Sequence, residues 1–328
     1  MEGDRGLVAL TGGSGFVGSH AAEALLAAGY RVRALVRRPH QPGWLSGLDV
    51  EPVPGDVREA ESLARLVDGA VAVVHVAGKT SARSEAEYLE ANAVGTGHLA
   101  RATARLATGA HFLLISSQAA GGPSVEGRAV CSGDTCRPVS AYGRSKLAGE
   151  KELAAVPGLG FTVLRPSSVY GPRERAIKDL FSASARGMVP LLAGGKPRVQ
   201  FVYALDLARA IVAAIAREPR GEVFFAAHPE VLDYRQIART LAELRRPPAR
   251  LLPVPAGLVR AAGTLAGLSS RFSSAPPVFN SEKAEEMLQD AWLCDVQPAQ
   301  AALGQPFTTP FAEGARLTWE WYRAQGWL

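Results

Sequence analysis

Two residues near the middle of the chain, Tyr142 and Lys146, have the types and spacing needed for proton transfer. They lie four positions apart, which puts two side chains on one face of a helix. A phenol with a pKa of about 10 is a poor base at neutral pH, and a nearby ammonium group would stabilise its phenolate form. The pair predicts a general acid or base assisted by a lysine, the alternative being an ordinary pair of side chains four residues apart on a solvated helix face.

A glycine-rich segment near the start of the chain has the pattern of a dinucleotide-binding turn. Gly12, Gly15 and Gly18 follow the apolar run at residues 7–10 and lead into a helix-like segment at residues 19–28. Glycine permits positive φ angles and lets the backbone approach a pyrophosphate, whose charge then lies at the helix N-terminus. Glycine also closes ordinary turns, so the flanking strand and helix patterns are what favour a dinucleotide.

The end of the second predicted strand, residues 32–36, bears on which dinucleotide is bound. An acidic residue there would bind the ribose hydroxyls of NAD, whereas an arginine would pair with the 2′-phosphate of NADP. Arg37 and Arg38 stand at this place without a carboxylate, and a guanidinium binds phosphate through two hydrogen bonds. They favour NADP, with NAD still possible if both are ordinary surface arginines. Asp56 is either an acceptor for the adenine amino group or a turn aspartate.

The composition predicts a soluble globular protein with a sizeable core. The chain has 328 residues, of which 47% are hydrophobic and 20% are charged. The net charge of +5 is compatible with nucleic-acid binding, but the arginines are scattered rather than clustered. We therefore expect a mixed solvated surface and no nucleic-acid partner.

Cysteine usage and hydropathy exclude several other classes. Cys131, Cys136 and Cys294 are too few and too irregular for a disulfide framework or a zinc site, although the first two could pair within a loop. We expect no signal peptide, no membrane-spanning helix and no metal site, and a cytoplasmic location with reduced thiols. The most apolar stretch, residues 251–268, is interrupted by proline, glycine and arginine and fits a mobile lid or a surface helix.

Strand-like and helix-like segments alternate through the first half of the chain. The strand-like segments are residues 32–36, 71–76, 111–116 and 161–164, and helix-like ones are residues 59–67, 85–106 and 141–155. This alternation predicts an α/β fold with a Rossmann-type, doubly wound parallel sheet whose ligand crevice lies at the carboxyl ends of the strands.

The pattern becomes less regular after about residue 170. Only brief strands are indicated near residues 199–203 and 223–226. We therefore predict a dinucleotide-binding Rossmann domain at residues 1–170, with strand contributions from about residues 199–226. Residues 171–328 would form mainly a smaller C-terminal α/β lobe that binds substrate, with a loop at residues 268–278.

Seven segments occur in the order found in one protein family. They are TGGSGFVG at residues 11–18, HVAG at 75–78, NAVGT at 92–96, ISS at 115–117, YGRSK at 142–146, LRPSSVYGP at 164–172 and FVYALDLA at 201–208. The chain resembles an extended short-chain dehydrogenase/reductase of the NAD-dependent epimerase/dehydratase superfamily over nearly its whole length. Residues 280–284 and 320–328 are similar to the 3β-hydroxysteroid dehydrogenase and dihydroflavonol reductase branch.

The resemblance implies a set of site residues. The implied catalytic residues are Ser117, Tyr142, Lys146 and Asn92. Including the residues already discussed, the expected cofactor-binding residues are Gly12, Gly15, Phe16, Val17, Gly18, Arg37, Arg38, Asp56, Val57, Val76, Ala77, Gly78, Tyr142, Lys146 and Pro166.

The resemblance also implies roles for these residues. Ser117 would hold the substrate oxygen as negative charge develops, while Ser116 faces the core. Lys146 would lower the pKa of Tyr142 and hold the nicotinamide ribose. Asn92 would support the active-site backbone or a water relay, its alternative being a helix-surface amide. A homodimer through the helices bearing Asn92 and Tyr142 is implied as well.

The substrate half departs from the pattern of enzymes that act on nucleotide-diphosphate sugars. Those enzymes carry an asparagine and an arginine that grip the diphosphate, and this chain has Ser168 and Val199 at these positions. The available substitutes are Arg173, Arg175 and Arg198. The runs at residues 188–193 and 251–266 suggest instead an apolar substrate wall.

These observations predict an NADP-preferring oxidoreductase. It would interconvert a ketone or aldehyde and an alcohol on a fairly hydrophobic small molecule, with hydride chemistry supplied by the cofactor. The alternative is an NAD-dependent nucleotide-sugar epimerase or dehydratase. Dehydration would need an added acid and base beside Ser117, where Gln118 and Ala119 stand. A non-catalytic redox sensor is the third possibility, but such a protein would not need Ser117, Tyr142 and Lys146 together.

Overall fold

The structure is a computed structural model, and it describes residues 4–269, 276 and 279–328. These residues form fourteen strands: β1 Leu7–Thr11, β2 Arg31–Val36, β3 Val50–Pro54, β4 Ala70–His75, β5 His111–Ile115, β6 Phe161–Pro166, β7 Ser168–Tyr170, β8 Met188–Leu192, β9 Arg198–Val199, β10 Phe201–Tyr203, β11 Glu222–Ala226, β12 Leu232–Asp233, β13 Arg250–Val254 and β14 Ala291–Trp292.

The same described residues form thirteen α-helices: α1 Phe16–Ala27, α2 Leu63–Val67, α3 Glu85–Leu89, α4 Gly95–Leu106, α5 Gln118–Gly121, α6 Ala141–Ala154, α7 Lys178–Ala185, α8 Ala204–Arg217, α9 Tyr234–Glu243, α10 Ala256–Ser269, α11 Ser281–Met287, α12 Gln297–Leu303 and α13 Phe311–Ala324. A π-helical turn, Glu90–Val94, joins α3 to α4 without a break. The single helix predicted over residues 85–106 is therefore three consecutive helical segments.

Seven strands form one parallel sheet in the order β11, β6, β5, β4, β1, β2, β3. Successive side chains of a strand point to opposite faces, and both faces are covered here. Val8 and Leu10 pack with α1 and α8, whereas Ala9 packs with α2 and α4. The predicted doubly wound α/β fold is confirmed.

The chain after residue 170 is divided between the sheet and a second core. Of the strands expected within residues 199–226, only β11 joins the large sheet. Instead, β10 pairs with β7, which lies beyond the carboxyl end of β6, and β9 pairs with β12 and β14. Helices α8 and α12 cover one face of the large sheet, while α7, α9 and α13 surround the second core.

The apolar stretch at residues 251–268 is a strand followed by a helix. β13 pairs with β8, and α10 packs on α11 through Gly263, where a side chain would collide with Ala284. Leu258 and Leu265 on α10 are exposed. Most of the loop predicted at residues 268–278 lies outside the described residues. Across the part of the chain that is described, every helix is too short or too polar to cross a membrane.

Candidate active site

The turn between β1 and α1 holds the glycines of the dinucleotide pattern. Gly12 has a φ of +73°, and a Cβ there would lie 2.6 Å from the Ala77 backbone nitrogen, so only glycine fits. Gly15 caps α1, and no side chain within the described chain caps this helix. The N–H groups of Phe16, Val17 and Gly18 at the start of α1 can therefore receive an anion.

The residues after β4 form the second wall of this region. The backbone nitrogens of Val76 and Ala77 donate to the carbonyl and hydroxyl of Thr11, at 3.3 and 3.2 Å. His75 lies between the hydroxyls of Thr11 and Thr96, at 2.7 and 3.0 Å, and burial lowers its pKa to about 3. It is a neutral core imidazole that joins β4 to β1 through the Thr11 hydroxyl.

Arg37 and Arg38 are exposed at the carboxyl end of β2, and neither forms an ion pair with a described residue. Asp56, after β3, accepts two hydrogen bonds from the Arg58 guanidinium, at 2.9 and 3.0 Å. These bonds hold the pKa of Asp56 below its usual value, and the charge of Arg37 adds to the effect. The charge of Arg37 thus acts on Asp56, and Val57, the next residue, is buried in the core.

Helix α6 carries the tyrosine and lysine pair. Ser140 caps the helix by accepting a hydrogen bond from the Gly143 nitrogen at 3.2 Å. Lys146 is only 7% exposed, and its Nζ donates to the Ile115 carbonyl at 2.7 Å. Burial lowers the pKa of Lys146 to about 8, and the charge of Glu150 opposes this change. A Cβ on Gly78 would lie 3.7 Å from Nζ, so the ammonium group borders the β4 wall.

Tyr142 is half-buried and packs against Tyr88, with ring centroids 6.0 Å apart. Burial raises the pKa of Tyr142 to about 12, and hydrogen bonding with the Ser117 hydroxyl lowers it in part. Ser117 follows β5 and caps α5, where its Oγ accepts from the Ala119 nitrogen at 3.1 Å. The phenol is therefore protonated at neutral pH and lies beside a serine hydroxyl.

Asn92 lies in the π-helical turn and is only 2% exposed, so it is not a helix-surface amide. Its Oδ1 accepts from the Lys79 nitrogen at 2.8 Å. Its Nδ2 donates to the Lys79 carbonyl at 3.0 Å and to Ser145 Oγ at 2.9 Å. Asn92 thus joins the segment after β4 to α6, and it positions Gly78 and Lys146 relative to each other.

A buried ion pair between Glu150 on α6 and Arg165 on β6 was not predicted from the sequence. The Glu150 carboxylate accepts from Arg165 Nε and Nη2 at 3.0 and 2.7 Å, and also from the Ser116 hydroxyl. Ser116 therefore faces the core, as expected. The only local signal was that Glu150 follows Lys146 by one helical turn, because Arg165 comes from a separate strand.

A cavity of about 180 Å³ opens beside Tyr142 and Ser117. Three of its lining residues were predicted site residues, namely Ser117, Tyr142 and Pro166. The others are Gln118, Ala119, Ser167, Ser168, Val199, Tyr234, Lys283, Glu286, Met287 and Trp292. Gln118 and Ser167 directly follow predicted residues in the sequence, whereas the α11 residues carry no signal that links them to the site.

The residues proposed to line an apolar wall lie elsewhere. Neither residues 188–193 nor residues 251–266 line this cavity, because β8 and β13 pair with each other and α10 reaches the cavity only through α11. The apolar part of the lining comes from Ala119, Pro166, Val199, Met287 and Trp292. An apolar surface is therefore present, but other elements supply it.

The arginines that could replace a diphosphate clamp do not line the cavity. Arg173 donates to Ser19 on α1 and lies over the Trp44 ring at 5.2 Å. Arg175 lies over the Trp327 ring at 5.3 Å. Arg198 points away over the turn at Gly127. The cavity does contain Lys283, but its ammonium pairs with Glu286 at 2.9 Å.

Metal and disulfide chemistry can be assessed in the same region. Among the described residues, no group of three His, Cys, Asp or Glu side chains is arranged to bind a metal ion. Cys131, Cys136 and Cys294 are free thiols, so the loop disulfide that spacing permitted is not formed.

Similarity to known proteins agrees with this geometry. The model of the NAD dependent epimerase/dehydratase family matches residues 8–227. A ceramide reductase of Caulobacter vibrioides is 35% identical over 332 residues, covering 99% of this chain and 96% of the relative. A 4-hydroxy-2-methyl-3-oxo-4-farnesyl-3,4-dihydroquinoline-1-oxide ketoreductase of Stigmatella aurantiaca is 29% identical over 265 residues, covering 78% of each chain.

The fold is also shared with a solved structure, MoeE5 in complex with UDP-glucose and NAD. The TM-score is 0.75 at 25% sequence identity, covering 98% of this chain and 99% of the other. The expected cofactor-binding segments follow β1, β2, β3 and β4 or end β6, and the tyrosine and lysine pair lies on α6, so they share the carboxyl edge of the sheet. The chain belongs to the NAD-dependent epimerase/dehydratase family and is an NAD(P)-dependent enzyme of the short-chain dehydrogenase/reductase type.

Proposed function

We propose that the protein is an NADP-preferring reductase that interconverts a ketone and an alcohol on a long-chain, lipid-like molecule. The observation that carries this proposal is that Tyr142 and Ser117 line one cavity, in which Ala119, Pro166, Val199, Met287 and Trp292 supply an apolar part of the wall. Tyr142, Lys146 and Ser117 would act as the catalytic residues, and Asn92 would position them.

The protonation states favour proton donation to a carbonyl. Because burial raises the pKa of Tyr142 to about 12, the phenol carries its proton at neutral pH and can donate it. When bound, the nicotinamide supplies the hydride. Ser117 Oγ can donate a hydrogen bond to the same oxygen as charge develops there. The Lys146 ammonium would stabilise the phenolate that remains after the proton leaves Tyr142.

The cofactor would lie along the carboxyl edge of the large sheet. Its pyrophosphate fits the turn at Gly12, Gly15 and Gly18, where the N–H groups of α1 are available. The exposed Arg37, with Arg38 beside it, suits the 2′-phosphate of NADP, since no carboxylate occupies the end of β2. Asp56 and Val57 would border the adenine.

The substrate class is inferred from the lining and from the relatives. A nucleotide-sugar diphosphate would need cationic partners, but Arg173 and Arg175 contact other groups and Arg198 lies at the turn around Gly127. The ceramide reductase and the farnesyl-quinoline ketoreductase are named for substrates with long hydrocarbon chains. The likeness to a UDP-glucose complex supports the second candidate, a nucleotide-sugar epimerase or dehydratase.

We also propose which part of the chain binds each ligand and how two copies of the chain associate. Residues 1–170 together with β11 would bind the cofactor, and residues 171–328 would mainly bind substrate. A homodimer would form through the α3–α4 segment and α6, because Leu89 and Val94 are exposed apolar side chains on that surface. Light scattering coupled to size exclusion would detect the dimer mass.

Nucleotide titration and turnover test the proposal together. We expect nucleotide-free protein to bind NADPH at least about tenfold more tightly than NADH, which corresponds to about 1.4 kcal/mol. We also expect it to oxidise NADPH with a long-chain ketone and to leave UDP-glucose unchanged. Tighter NADH binding, or NAD that resists removal together with turnover of UDP-glucose, would replace this proposal with the epimerase alternative.

A further inference from the structure

Helix α10 packs against the rest of the described chain on one side only. Val259 and Gly263 are buried, and a Cβ on Gly263 would lie 2.8 Å from the Ala284 Cβ on α11. The other side carries exposed apolar residues three or four positions apart, which form one stripe along the helix: Leu258, Ala261, Ala262, Leu265 and Leu268. Leu258 and Leu265 are 62% and 66% exposed, so the stripe has the character of a binding surface.

The β8 and β13 strand pair extends this apolar surface. Met188 pairs with Arg250, and Leu252 lies two positions after Arg250, so Met188 and Leu252 project from the same face of the pair. Both apolar side chains are about half exposed. β13 leads into α10 through a single residue, Pro255, so the apolar side chains of the strands and the helix belong to adjoining elements.

Arginines gather at the start of this strand pair. The Arg245 guanidinium carbon would lie 3.9 Å from a Cβ on Gly187, and the Arg250 nitrogen donates to the Gly187 carbonyl at 2.9 Å. Arg186 directly precedes this glycine. These three arginines and Arg246 form no ion pair with a described residue.

The local sequence adds no negative charge to offset these arginines. Residues 186–192 and 244–268 together contain five arginines and no aspartate or glutamate. The fifth, Arg260, is the one that is paired, with Glu285 on α11 at 2.7 Å. The surface is therefore apolar and positively charged at the same time.

This combination of properties selects the partner. At an anionic bilayer, leucines can enter the acyl-chain region while arginines stay at the phosphates of the same boundary. A second copy of the chain would bring arginines against arginines, and a nucleic acid would leave the leucines without an apolar contact. A helix that lies in the plane of the membrane needs only an apolar stripe, so it does not have to be long enough to span the bilayer.

We propose that α10 and the start of the β8 and β13 pair, together called the α10 surface, bind the face of an anionic lipid bilayer. The leucine stripe of α10 lies at the level of the upper acyl chains, and Arg186, Arg245, Arg246 and Arg250 contact lipid phosphates. α11, on the buried side of α10, supplies Glu286 and Met287 to the wall of the cavity. The α10 surface would thus hold the substrate half of the protein at the bilayer, and this binding does not depend on the proposed reductase activity.

Co-sedimentation with lipid vesicles, without cofactor or substrate, tests the α10 surface. We expect the protein to bind vesicles of equal parts phosphatidylglycerol and phosphatidylcholine at least about tenfold more strongly than pure phosphatidylcholine vesicles. Leu258→Gln combined with Leu265→Gln should lower binding to the mixed vesicles at least about tenfold. Arg186→Gln combined with Arg250→Gln should lower binding to the mixed vesicles by about tenfold or more and leave the weak binding to pure phosphatidylcholine unchanged.

The matched control replaces two exposed leucines elsewhere. Leu106 on α4 and Leu205 on α8 are both 39% exposed, and changing both to glutamine should leave vesicle binding within about twofold of wild type. Urea unfolding of each variant separates a loss of binding from a loss of folding, because substitutions at exposed positions should leave the unfolding midpoint close to that of wild type.

Several results would overturn the α10 surface. They are absence of vesicle binding, an equal loss in the control, and binding that the leucine variant leaves unchanged. Loss of a dimer in the leucine variant without vesicle binding would assign the stripe to a second copy, and loss of duplex DNA binding in the arginine variant without vesicle binding would assign the charge to nucleic acid. Vesicle binding by a protein that reduces no ketone would refute the proposed function and leave the α10 surface standing.

Discussion

Replacement of Lys146 by methionine should make the folded protein more stable while removing its activity. The Lys146 side chain is buried, and the carboxylate of Glu150 nearby is already bound by Arg165 and Ser116. Burial lowers the pKa of Lys146 from the ordinary value of 10.5 to about 8. This difference means that keeping the ammonium charged in the folded state at pH 7 costs about 3.4 kcal/mol.

Methionine has a similar length and removes that cost. It also removes the hydrogen bond to the Ile115 carbonyl, which offsets about 1.5–2.5 kcal/mol of the gain. We therefore expect Lys146→Met to raise the free energy of unfolding by about 1–2 kcal/mol at pH 7. Stability and function would thus oppose each other at this residue.

The pH dependence follows from the direction of the pKa change. Because the folded-state pKa of Lys146 is below its unfolded value, the unfolded chain binds more protons between about pH 8 and pH 10.5. As the pH rises through that interval, the free energy of unfolding of the wild-type protein should increase relative to that of Lys146→Met. The advantage of the variant should therefore be complete below pH 8 and should shrink as the pH rises toward 10.5.

Urea unfolding of both proteins at several pH values measures this difference. Lys151→Met is the matched control, since Lys151 is exposed on the same helix and should change stability by less than about 0.5 kcal/mol. The reasoning about the buried ammonium would be refuted if Lys146→Met were less stable than wild type at pH 7. A stability difference that does not vary with pH would refute it equally.

Three further substitutions test the rest of the site. Tyr142→Phe should lower kcat/KM about a hundredfold to ten-thousandfold with cofactor binding unchanged, whereas Tyr88→Phe beside it should stay active. A fully active Tyr142→Phe would show that Tyr142 is not the proton donor. Arg37→Ala should weaken NADPH binding about tenfold or more and leave NADH binding unchanged in fluorescence titrations, and equal effects on both nucleotides would contradict the 2′-phosphate assignment. Glu150→Ala leaves the buried Arg165 guanidinium unpaired and should lower the free energy of unfolding in urea by about 3–5 kcal/mol. Glu152→Ala, at an exposed ion pair, should lower it by less than about 1 kcal/mol, and similar losses in both variants would contradict the importance of burial.

Short-range patterns in the sequence were enough to predict the Rossmann sheet and the elements that bear the candidate site residues. The left-handed φ of Gly12, the Ser140 cap of α6 and the four-residue spacing of Tyr142 and Lys146 all depend on neighbours within a few positions. Such constraints are local, so one sequence carries them. The strand register and the order of the sheet then bring these segments to one edge.

The predictions were wrong where the elements pack against partners that are distant in the sequence. The brief strands near residues 199–203 were expected in the large sheet, and β9 and β10 pair elsewhere because β7, β12 and β14 offer them other edges. In the same way, residues 251–266 were expected to line the substrate wall, and α11 takes that place. A strand or helix pattern gives no information about which of several possible partners it will meet.

The sequence by itself determined the alternation of strands and helices, the glycine turn and the tyrosine and lysine pair, because each depends on residues close together in the chain. Only the tertiary structure decided that Arg173 binds Ser19, 154 residues away, and is therefore engaged elsewhere. It also decided that Gln118 and Ser167 are buried without partners. Desolvation and hydrogen bonding depend on every group that packs around an atom, and that surrounding set exists only once the chain has folded.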